Sequence, residues 1–380
     1  MAMRSARHCA RKARSASTLA PYNAPQPRTN PTLRGARMAT TTSFTHHTIA
    51  IQQVEQILLG ARGRGTNVEA LLHRAGISPA LLESPLSRVT QAQYAALIFA
   101  LRHAMRDELW GLCRRPLPLG SFAMGCRLLI GSRTLGEALH TGLRYYRLLL
   151  ADFVPRLQVL GRVARVSLVS HGEPSPALAY AERAFSFFAY GLACWLVARR
   201  IPLLAVDYPQ SAFGQSNDAG TLFQAPVHYD QPCTGWRFEA HWLELPLVQN
   251  AQSLGEFLHQ APASLLVKYR DQSSMTERIR RILRRHLAEE LPSLEEIGHQ
   301  LAMTPQTLRR RLHDEGQGFR NIKDDLRRDA AIEYLARPEL ALPEIAALLG
   351  FSEASTFHRA FKHWTGVAPG EYRHTRLRDR

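Results

Sequence analysis

Two stretches near the carboxyl end, SLEEIGHQLAMTPQTLRRRL at residues 293–312 and LPEIAALLGFSEASTFHRAF at residues 342–361, share one pattern about 48 to 49 residues apart. In the first stretch, Ile297 and Leu301 lie on one face of a short predicted helix, because side chains four residues apart share a helical face. The same spacing of apolar residues recurs at the start of the second stretch. The segment therefore contains an internal repeat, and each copy begins with a short amphipathic helix.

A turn and a second helix follow in each copy. In the first copy the turn starts at Ala302, and Thr304 caps a second helix with Pro305 at its first position. In the second copy Gly350 ends the first helix and Ser352 is expected to cap the next one. A short helix, a tight turn and a second helix are typical of a helix-turn-helix unit, so the sequence predicts two of them.

The outward faces of the two second helices carry hydrogen-bonding side chains. At about 100 degrees per residue, Leu308 and Leu312 face inward in the first of these helices. In the second helix, Phe357 and Phe361 face inward. Outward-facing arginine, glutamine, histidine and serine side chains can read base edges in a major groove, and Arg311 and Lys362 suit phosphate contacts. The outward side chains are Gln306, Arg309, Arg310 and His313 in the first helix, and Ser355, His358, Arg359 and Lys362 in the second.

A polar helix face with several arginines has a simpler explanation, since most such faces are only solvated. Two copies with matching turns and outward faces favour nucleic-acid binding over that explanation. The segment between them, FRNIKDDLRRDAAIEYLA at residues 319–336, predicts one connecting helix. Its length of roughly 27 Å at about 1.5 Å per residue suits two recognition helices spaced near the roughly 34 Å of one DNA turn.

The residues from 345 to 373, above all FHRAFKHWTGVAPGEYR at 357–373, resemble the signature of AraC/XylS-type bacterial transcription regulators. The resemblance implies two helix-turn-helix units, joined by a long helix, whose recognition helices enter successive major grooves. Ala354 departs from the family, because relatives often carry a polar side chain there. Tyr372 and Arg373 are expected to pack the last helix. The resemblance assigns base reading to Gln306, Arg309 and Arg310 in the first recognition helix, and to Ser355, His358 and Arg359 in the second.

The amino-terminal half has a different pattern of apolar residues. Helical periodicity runs from about residue 48 to 150, and short β-like runs separated by Pro, Gly and Asn follow. The sequence predicts an α+β effector-binding and dimerisation domain at residues 46–270 and an all-α DNA-binding domain at residues 271–380, after a disordered basic tail at residues 1–45. The predicted strands are 157–160, 163–169, 203–208, 227–229 and 236–238, with a long helix at about 178–199.

The stretch RGTNVEALLHRAGISPALLESP, at residues 64–85, resembles the opening of an arabinose-binding-type sensor domain. One branch of the AraC/XylS-type family has such a domain, including regulators of amino-acid and ornithine catabolism. The resemblance implies a small-molecule effector, a homodimer formed through the sensor domain, and action on promoter DNA with RNA polymerase as a partner. It favours activation over repression.

The effector site is less defined by the sequence. Arg144, Arg147 and Arg183 are candidates to pair an effector carboxylate, and Tyr145 is a further candidate. The aromatic side chains on the long helix can line an apolar cavity, but plain core packing explains them as well. Those aromatic residues are Phe185, Phe187, Phe188, Tyr190 and Trp195, with Tyr145 and Tyr146 from the preceding segment.

The net charge of +16 suggests an anionic partner, but half of this charge lies in the tail at residues 1–45. Residues 1–45 hold seven Arg and one Lys without a carboxylate, whereas residues 276–380 have a net charge of only +3. The tail fits a transit peptide, a nucleic-acid arm, or a disordered extension upstream of an alternative start at Met38. We favour the disordered extension.

Other classes of protein find little support. The five cysteines have wide, unpaired spacings, which argues against a disulfide framework or a zinc site and fits a reducing cytoplasm. The longest apolar stretch, residues 184–198, is shorter than the roughly 20 residues that span a bilayer. Common hydrolase, phosphate-binding and dinucleotide-binding motifs are absent. The sequence thus predicts no enzyme, metal or cofactor, and leaves an architectural or RNA-binding protein that uses its basic tail as the main rival.

Overall fold

The computed structural model describes residues 48–210, 223, 225–260, 274–315 and 317–377. The predicted tail at residues 1–45 and residues 271–273 of the predicted domain boundary lie outside the described residues. Residue 274 is the first described residue of the carboxyl-terminal half, and its hydroxyl accepts a hydrogen bond from the backbone N–H of Glu277 at 3.2 Å. Ser274 is thus the N-cap residue of the first described helix of this half.

A short β-ribbon and four helices open the described chain. Strand β1 pairs antiparallel with β2, with Thr48 opposite Thr90 and Ala50 opposite Arg88. Thr90 then starts a helix through a reciprocal capping box with Gln93, which satisfies amides that have no partner within the helix. The elements are β1 Thr48–Ala50, α1 Ile51–Ile57, α2 Leu59–Gly63, α3 Val68–Arg74, a 3₁₀ turn Pro79–Glu83, β2 Arg88–Thr90 and α4 Gln91–Met105.

The rest of this half combines a mixed sheet with helices. Within the described residues the sheet has the strand order β3-β4-β7-β5-β6, antiparallel except for the β5–β6 pair. The predicted strands and the long helix are confirmed. The elements are α5 Ser121–Leu129, α6 Leu135–Leu149, β3 Phe153–Leu160, β4 Val163–Ser170, α7 Pro176–Leu196, β5 Leu203–Asp207, β6 Val227–His228, β7 Thr234–Glu239, a 3₁₀ turn Ala240–Glu244 and α8 Ala251–Gln260.

Helix α7 is buried between two apolar layers because it is apolar on most of its circumference. On one side Tyr190 packs against Trp236 of the sheet, with ring centroids 5.5 Å apart. On the other side Trp195 stacks on Phe257 of α8 at 4.2 Å. This arrangement is the α+β architecture that the sequence predicts for the amino-terminal half.

The carboxyl-terminal half is helical throughout its described residues. Its fourth helix is the predicted connecting helix, and it begins at Phe319 as expected. On either side of it lie the two predicted pairs of short helices. The elements are α9 Met275–Arg285, α10 Leu294–Leu301, α11 Pro305–Asp314, α12 Phe319–Leu335, α13 Leu342–Leu348, α14 Ala354–Thr365 and α15 Pro369–Leu377.

A buried carboxylate joins the two halves. Asp329, on the connecting helix α12, is only 3% exposed. Its oxygens accept hydrogen bonds from Arg280 of α9 at 3.2 Å, from Arg328 at 3.1 Å and from the Thr48 hydroxyl of β1 at 2.6 Å. Arg88 of β2 donates from Nε to the same Thr48 hydroxyl at 2.7 Å. The first strand of the amino-terminal half is therefore hydrogen-bonded to the core of the helical half.

Three further features extend this contact. The Tyr372 hydroxyl on α15 donates to the backbone carbonyl of Arg88, and the Ser84 hydroxyl donates to the carbonyl of Thr365 at 3.0 Å. One apolar cluster runs from helices α1 to α4 through to the core of the helical half. Because side chains from both halves share one core, residues 48–377 pack as one unit over their described part.

We expect Asp329→Ala to lower the free energy of unfolding by about 3–5 kcal/mol, because it breaks a buried ion pair, with Arg280 at 3.2 Å. Asp325→Ala is the matched control. Asp325 lies on the same helix and also pairs with Arg328, at 2.7 Å, but its side chain is 35% exposed. The control should cost less than about 1 kcal/mol. Urea unfolding of full-length protein measures both, and equal losses would contradict the role given to Asp329.

The turns of the two helix pairs offer a second matched comparison. Ala302 and Gly350 both have a left-handed backbone, with φ of 52° and 73°. A Cβ atom at Gly350 would lie 2.5 Å from the carbonyl oxygen of Glu289. We therefore expect Gly350→Ala to cost more than about 2 kcal/mol, from the strained φ and the steric overlap. Ala302→Gly should change stability by less than about 1 kcal/mol, since relief of strain offsets the entropy gained by the unfolded chain. Thermal unfolding distinguishes the two, and similar effects would refute this account.

Candidate functional site

The first candidate surface is the outer face of α11. The Thr304 hydroxyl accepts a hydrogen bond from the Thr307 backbone N–H at 3.2 Å and so caps the helix as predicted. Leu308 and Leu312 are buried, which fixes the rotation of the helix. The predicted contact residues Gln306, Arg309, Arg310 and Arg311 are all exposed, as is His313.

One ion pair crosses this surface. Arg309 Nη2 lies 3.6 Å from the Glu295 carboxylate of α10, and both side chains are more than half exposed. An exposed pair of this kind holds a side chain weakly and is screened by salt. Arg309 can therefore leave Glu295 for a phosphate or a base without a large penalty.

The second candidate surface is the outer face of α14. Phe357 and Phe361 are fully buried, and Phe361 packs edge-on against Tyr372 with ring centroids 5.4 Å apart. Tyr372 thus packs the last helix, as predicted. The predicted contact residues Ser355, Arg359 and Lys362 are exposed, whereas His358 is half-buried against the Phe357 ring. Ala354, the departure from the family pattern, packs against the apolar core.

The cap of α14 differs from the sequence prediction. Glu353, not Ser352, is the N-cap residue, and its side chain makes no capping hydrogen bond with the first turn of the helix. The Glu353 carboxylate instead accepts a hydrogen bond from the Ser355 hydroxyl at 3.0 Å. The prediction placed the helix start one residue too early, because a serine after a glycine turn is the usual capping signal.

Side chains of the connecting helix hold both helix pairs in place. Lys323 Nζ donates to the carbonyl of Leu291, just before the first pair, at 3.1 Å. Arg327 Nε donates to the carbonyl of Leu349, at the turn of the second pair, at 3.2 Å. Burial lowers the pKa of Arg327, but a guanidinium remains charged at neutral pH. The two outward faces are therefore fixed to one rigid rod of about 26 Å.

Helix ends in the first pair are also well satisfied. Glu296 and Ser293 form a reciprocal capping box at the start of α10, and hydrogen bonds from Ser293 lower the pKa of the Glu296 carboxyl. Glu315, at the end of α11, accepts hydrogen bonds from the backbone N–H groups of Met275 and Thr276 at 2.7 and 2.9 Å. The carboxyl end of the first candidate helix is thus fixed to the start of α9.

The amino-terminal half contains a cavity of about 200 Å³ lined by α4, α5, α6, α7, α8 and the loop before α5. It lies where the three apolar clusters of this half meet. Its wall is formed almost wholly by aliphatic and aromatic side chains. They are Ile98, Leu109, Trp110, Leu117, Phe122, Ala123, Leu129, Ala138, Leu139, Gly142, Leu143, Tyr146, Phe185, Phe188, Ala189, Leu192, Ala193, Leu196 and Leu258, together with Arg102 and Glu108.

Arg102 and Glu108 form an ion pair in this wall, with Arg102 Nη2 at 3.2 Å from Glu108 Oε1. Glu108 also accepts hydrogen bonds from the backbone N–H groups of Gly120 at 2.7 Å and Phe122 at 2.6 Å, at the start of α5. Burial raises the pKa of Glu108, and these hydrogen bonds and Arg102 oppose the shift. Arg102 Nε is buried without a hydrogen-bond partner among the described residues.

The effector residues predicted from sequence lie outside the wall of this cavity. Arg144 and Arg147 are exposed on α6, and the Tyr145 hydroxyl donates to the carbonyl of Ser121 at 3.2 Å. Arg183 donates to the Gln56 side chain at 3.2 Å, and its guanidinium lies over the Tyr180 and Tyr208 rings. Their role in effector binding stays a prediction.

The aromatic side chains named from the sequence divide into two groups. Tyr146, Phe185 and Phe188 line the cavity, whereas Tyr190 and Trp195 pack in the apolar clusters on either side of α7. Arg102 and Glu108 were missed by sequence reasoning. Arg102 had a usable signal, because it follows Ile98 by four residues on the apolar side of α4, where an arginine is unusual.

Two classes of site are absent from the described residues. No helix there is long and apolar enough to cross a membrane. No cluster of three or more His, Cys, Asp or Glu side chains is arranged to hold a metal ion in the described ranges.

Comparison with known proteins agrees with this architecture. Residues 65–247 match the family described as the arabinose-binding domain of AraC transcription regulator, N-terminal, and residues 297–375 match a helix-turn-helix domain family. The chain is 26% identical over 332 residues to the ornithine utilization regulator of Pseudomonas aeruginosa, a match that covers 87% of this chain and 98% of that protein.

Two other similar proteins match different shares of the chain. The chain is 42% identical over 101 residues to the regulator VirS of Mycobacterium tuberculosis, covering 27% of this chain and 30% of that protein. The crystal structure of the transcriptional regulator CdpR from Pseudomonas aeruginosa is 21% identical, with a TM-score of 0.29, and covers 85% of this chain and 98% of that one. The two family matches, in the order that the fold shows, identify the chain as a member of the AraC/XylS-type family of DNA-binding transcription regulators, with an arabinose-binding-type sensor domain.

Proposed function

We propose that this regulator binds promoter DNA through α11 and α14 in successive major grooves. A small-molecule effector bound in the amino-terminal half, described over residues 48–260 and called the sensor half below, controls this binding. The observation that carries the proposal is the matched pair of outward faces on one rigid connecting helix. Each face presents exposed hydrogen-bonding and basic side chains, and each opposite face is fully buried. The proposed contacts are Gln306, Arg309, Arg310, Arg311, Ser355, His358, Arg359 and Lys362.

The domain organisation belongs to the same proposal. We assign residues 46–270 to effector binding and dimerisation and residues 271–380 to DNA binding. The described helical half shares its core with the β-ribbon of the sensor half, so a state of the sensor can alter the DNA-binding arrangement.

The sign of regulation rests on the family resemblance, which favours an activator that acts with RNA polymerase in the bacterial cytoplasm. Transcription by purified polymerase from a selected binding site should rise when the protein is added, and a fall would refute activation.

Selection of full-length protein on randomised duplex DNA, followed by gel shifts, tests the DNA contacts. We expect Arg310→Ala to weaken binding to the selected site by about 1–3 kcal/mol and to relax the sequence preference at one or two positions. Arg311→Ala should instead weaken binding to all sequences and reduce the salt dependence by about one phosphate contact. Arg127→Ala, an exposed arginine on α5 of the sensor half, is the control and should change neither. An unchanged sequence preference in the Arg310 variant would exclude Arg310 from base reading.

The rival class, binding through the basic tail, is tested in the same assay. Deletion of residues 1–37 removes seven Arg and one Lys but no residue of the helical half. We expect the selected sequence and its discrimination over random DNA to survive this deletion. Loss of sequence-specific binding would favour an architectural or RNA-binding protein that uses its tail.

We propose that the homodimer forms at the edge of the sensor sheet. Strand β3 pairs only with β4 in the described sheet and is one of its two edge strands, the other being the two-residue β6. Edge strands invite pairing with a second chain. Val159 and Leu160 on this strand are 51% and 73% exposed, and Leu148, at the end of the adjacent α6, is 86% exposed. A second copy pairing strand to strand would cover these side chains.

Leu160→Lys should shift the protein from dimer to monomer, because a charged side chain on an edge strand opposes pairing. Analytical ultracentrifugation of full-length protein measures the change. Val248→Lys is the control, since Val248 is also exposed, at 55%, but lies outside the sheet. A dimer unaffected by Leu160→Lys would place the interface elsewhere.

A further inference from the structure

The apolar wall of the sensor cavity restricts the chemistry of what can bind there. Among the side chains that line it, only Arg102 and Glu108 carry a charge, and Tyr146 adds a hydroxyl. A sugar or a free amino acid would bring several hydroxyl or charged groups into contact with leucine, phenylalanine and alanine side chains. Each such group, left without a hydrogen bond, costs free energy. The wall therefore selects a ligand whose surface is mainly apolar.

The volume of the cavity sets the size of this ligand. An apolar cavity of roughly 150 Å³ in a protein core accepts a benzene molecule. The cavity in the sensor half measures about 200 Å³. A benzene ring with a short substituent of two or three carbon atoms fits this space.

The ion pair in the wall determines the charge of the ligand. Arg102 and Glu108 are 3.2 Å apart, and both oxygens of Glu108 also accept backbone hydrogen bonds. The pair leaves the wall with no net charge. A ligand carboxylate at Arg102 would lie beside the Glu108 carboxylate and be repelled, and a ligand ammonium would meet the guanidinium. An uncharged ligand avoids both penalties.

One donor in the wall requires an acceptor. Arg102 Nη2 is used in the pair with Glu108, but the Nε–H group is buried and has no partner among the described residues. Buried polar groups in native proteins are nearly always hydrogen-bonded. A ligand with one carbonyl or ether oxygen would satisfy this donor.

We propose that the cavity binds an uncharged, mainly apolar molecule of the size of a substituted benzene, whose single hydrogen-bond acceptor receives the Arg102 Nε–H. This assignment rests on the effector-controlled function proposed above and names the chemical class of the effector.

Helix α4 connects this cavity to the helical half. Ile98 and Arg102, in its carboxyl-terminal half, line the cavity. Its amino-terminal end continues directly from β2, where Arg88 holds the Thr48 hydroxyl and receives the Tyr372 hydrogen bond. The helix has 15 residues and spans about 22 Å. A ligand that repositions Arg102 therefore acts on the element that the DNA-binding half contacts.

Three probes of similar shape test the proposal on full-length protein by isothermal titration calorimetry. Propiophenone is uncharged and has one acceptor, propylbenzene is uncharged and has none, and 3-phenylpropanoate is an anion. We expect propiophenone to bind at least tenfold more tightly than either of the others. Tighter binding of the anion, equal binding of the two neutral probes, or no binding of any probe would overturn the proposal.

Two variants locate the binding. Arg102→Lys keeps a positive charge for Glu108 but removes the Nε–H donor, so the preference for propiophenone over propylbenzene should fall to less than threefold. Arg127→Lys is the matched control on the exposed side of α5 and should keep the full preference. Ala189→Leu adds volume at the cavity wall and should abolish binding of both neutral probes while the protein still unfolds cooperatively. Unchanged binding in Ala189→Leu would place the probes elsewhere.

Gel shifts on the selected DNA site, with and without propiophenone, separate this proposal from the one it rests on. Sequence-specific DNA binding in a preparation that fails the probe series overturns the cavity assignment alone. Probe binding with the expected preferences, in a protein that shows no sequence-specific DNA binding, supports the cavity assignment and overturns the proposed function.

Discussion

The buried charge of Asp329 is the constraint from which the arrangement of the two halves follows. A carboxylate that is 3% exposed must be compensated, and Arg328 of the connecting helix donates hydrogen bonds to it. Arg280 on α9 and the Thr48 hydroxyl on β1 donate further hydrogen bonds. Thr48 can reach Asp329 only if the β-ribbon lies against the connecting helix. The burial of one side chain thus fixes the first helix of the helical half and the first strand of the sensor half against the same rod.

The same rod fixes the two candidate DNA-binding faces. Each helix pair buries its apolar side in the core that surrounds α12, so Leu308, Leu312, Phe357 and Phe361 have no freedom to rotate outward. The opposite side of each second helix must then face solvent. The hydrogen bonds from Lys323 and Arg327 to Leu291 and Leu349 set where each pair sits along the rod. Specificity in such an arrangement comes from a few side chains in fixed positions. The modest net charge of +3 for residues 276–380 is consistent with that.

The sequence predicts correctly those helices and strands that are indicated by residues close together in the chain. The helix pairs, the connecting helix and the strands follow from periodicity, caps and turn residues within 20 positions of each other, and the structure places them as predicted. The predicted cap at Ser352 was wrong by one residue, because Glu353 begins α14 although its side chain makes no capping hydrogen bond, and a local capping signal does not indicate such a start. Asp329 escaped notice because RRDAA looks like an ordinary exposed helix segment. Its partner Thr48 lies 281 residues away, and no local pattern indicates such a pair.

The cavity shows why a sensor site is harder to predict than a DNA-binding one. The contact residues of a recognition helix all lie on that one helix and recur with its helical periodicity. The cavity wall comes from five helices, α4 to α8, and the loop before α5. Its apolar residues are indistinguishable in sequence from those that pack with no space between them. Phe185 and Phe188 line the cavity, yet Tyr190 and Trp195 on the same helix are packed in the two neighbouring clusters. The cavity lies where the three apolar clusters of this half meet. That meeting point is a property of the fold, because it brings together side chains from helices far apart in the sequence.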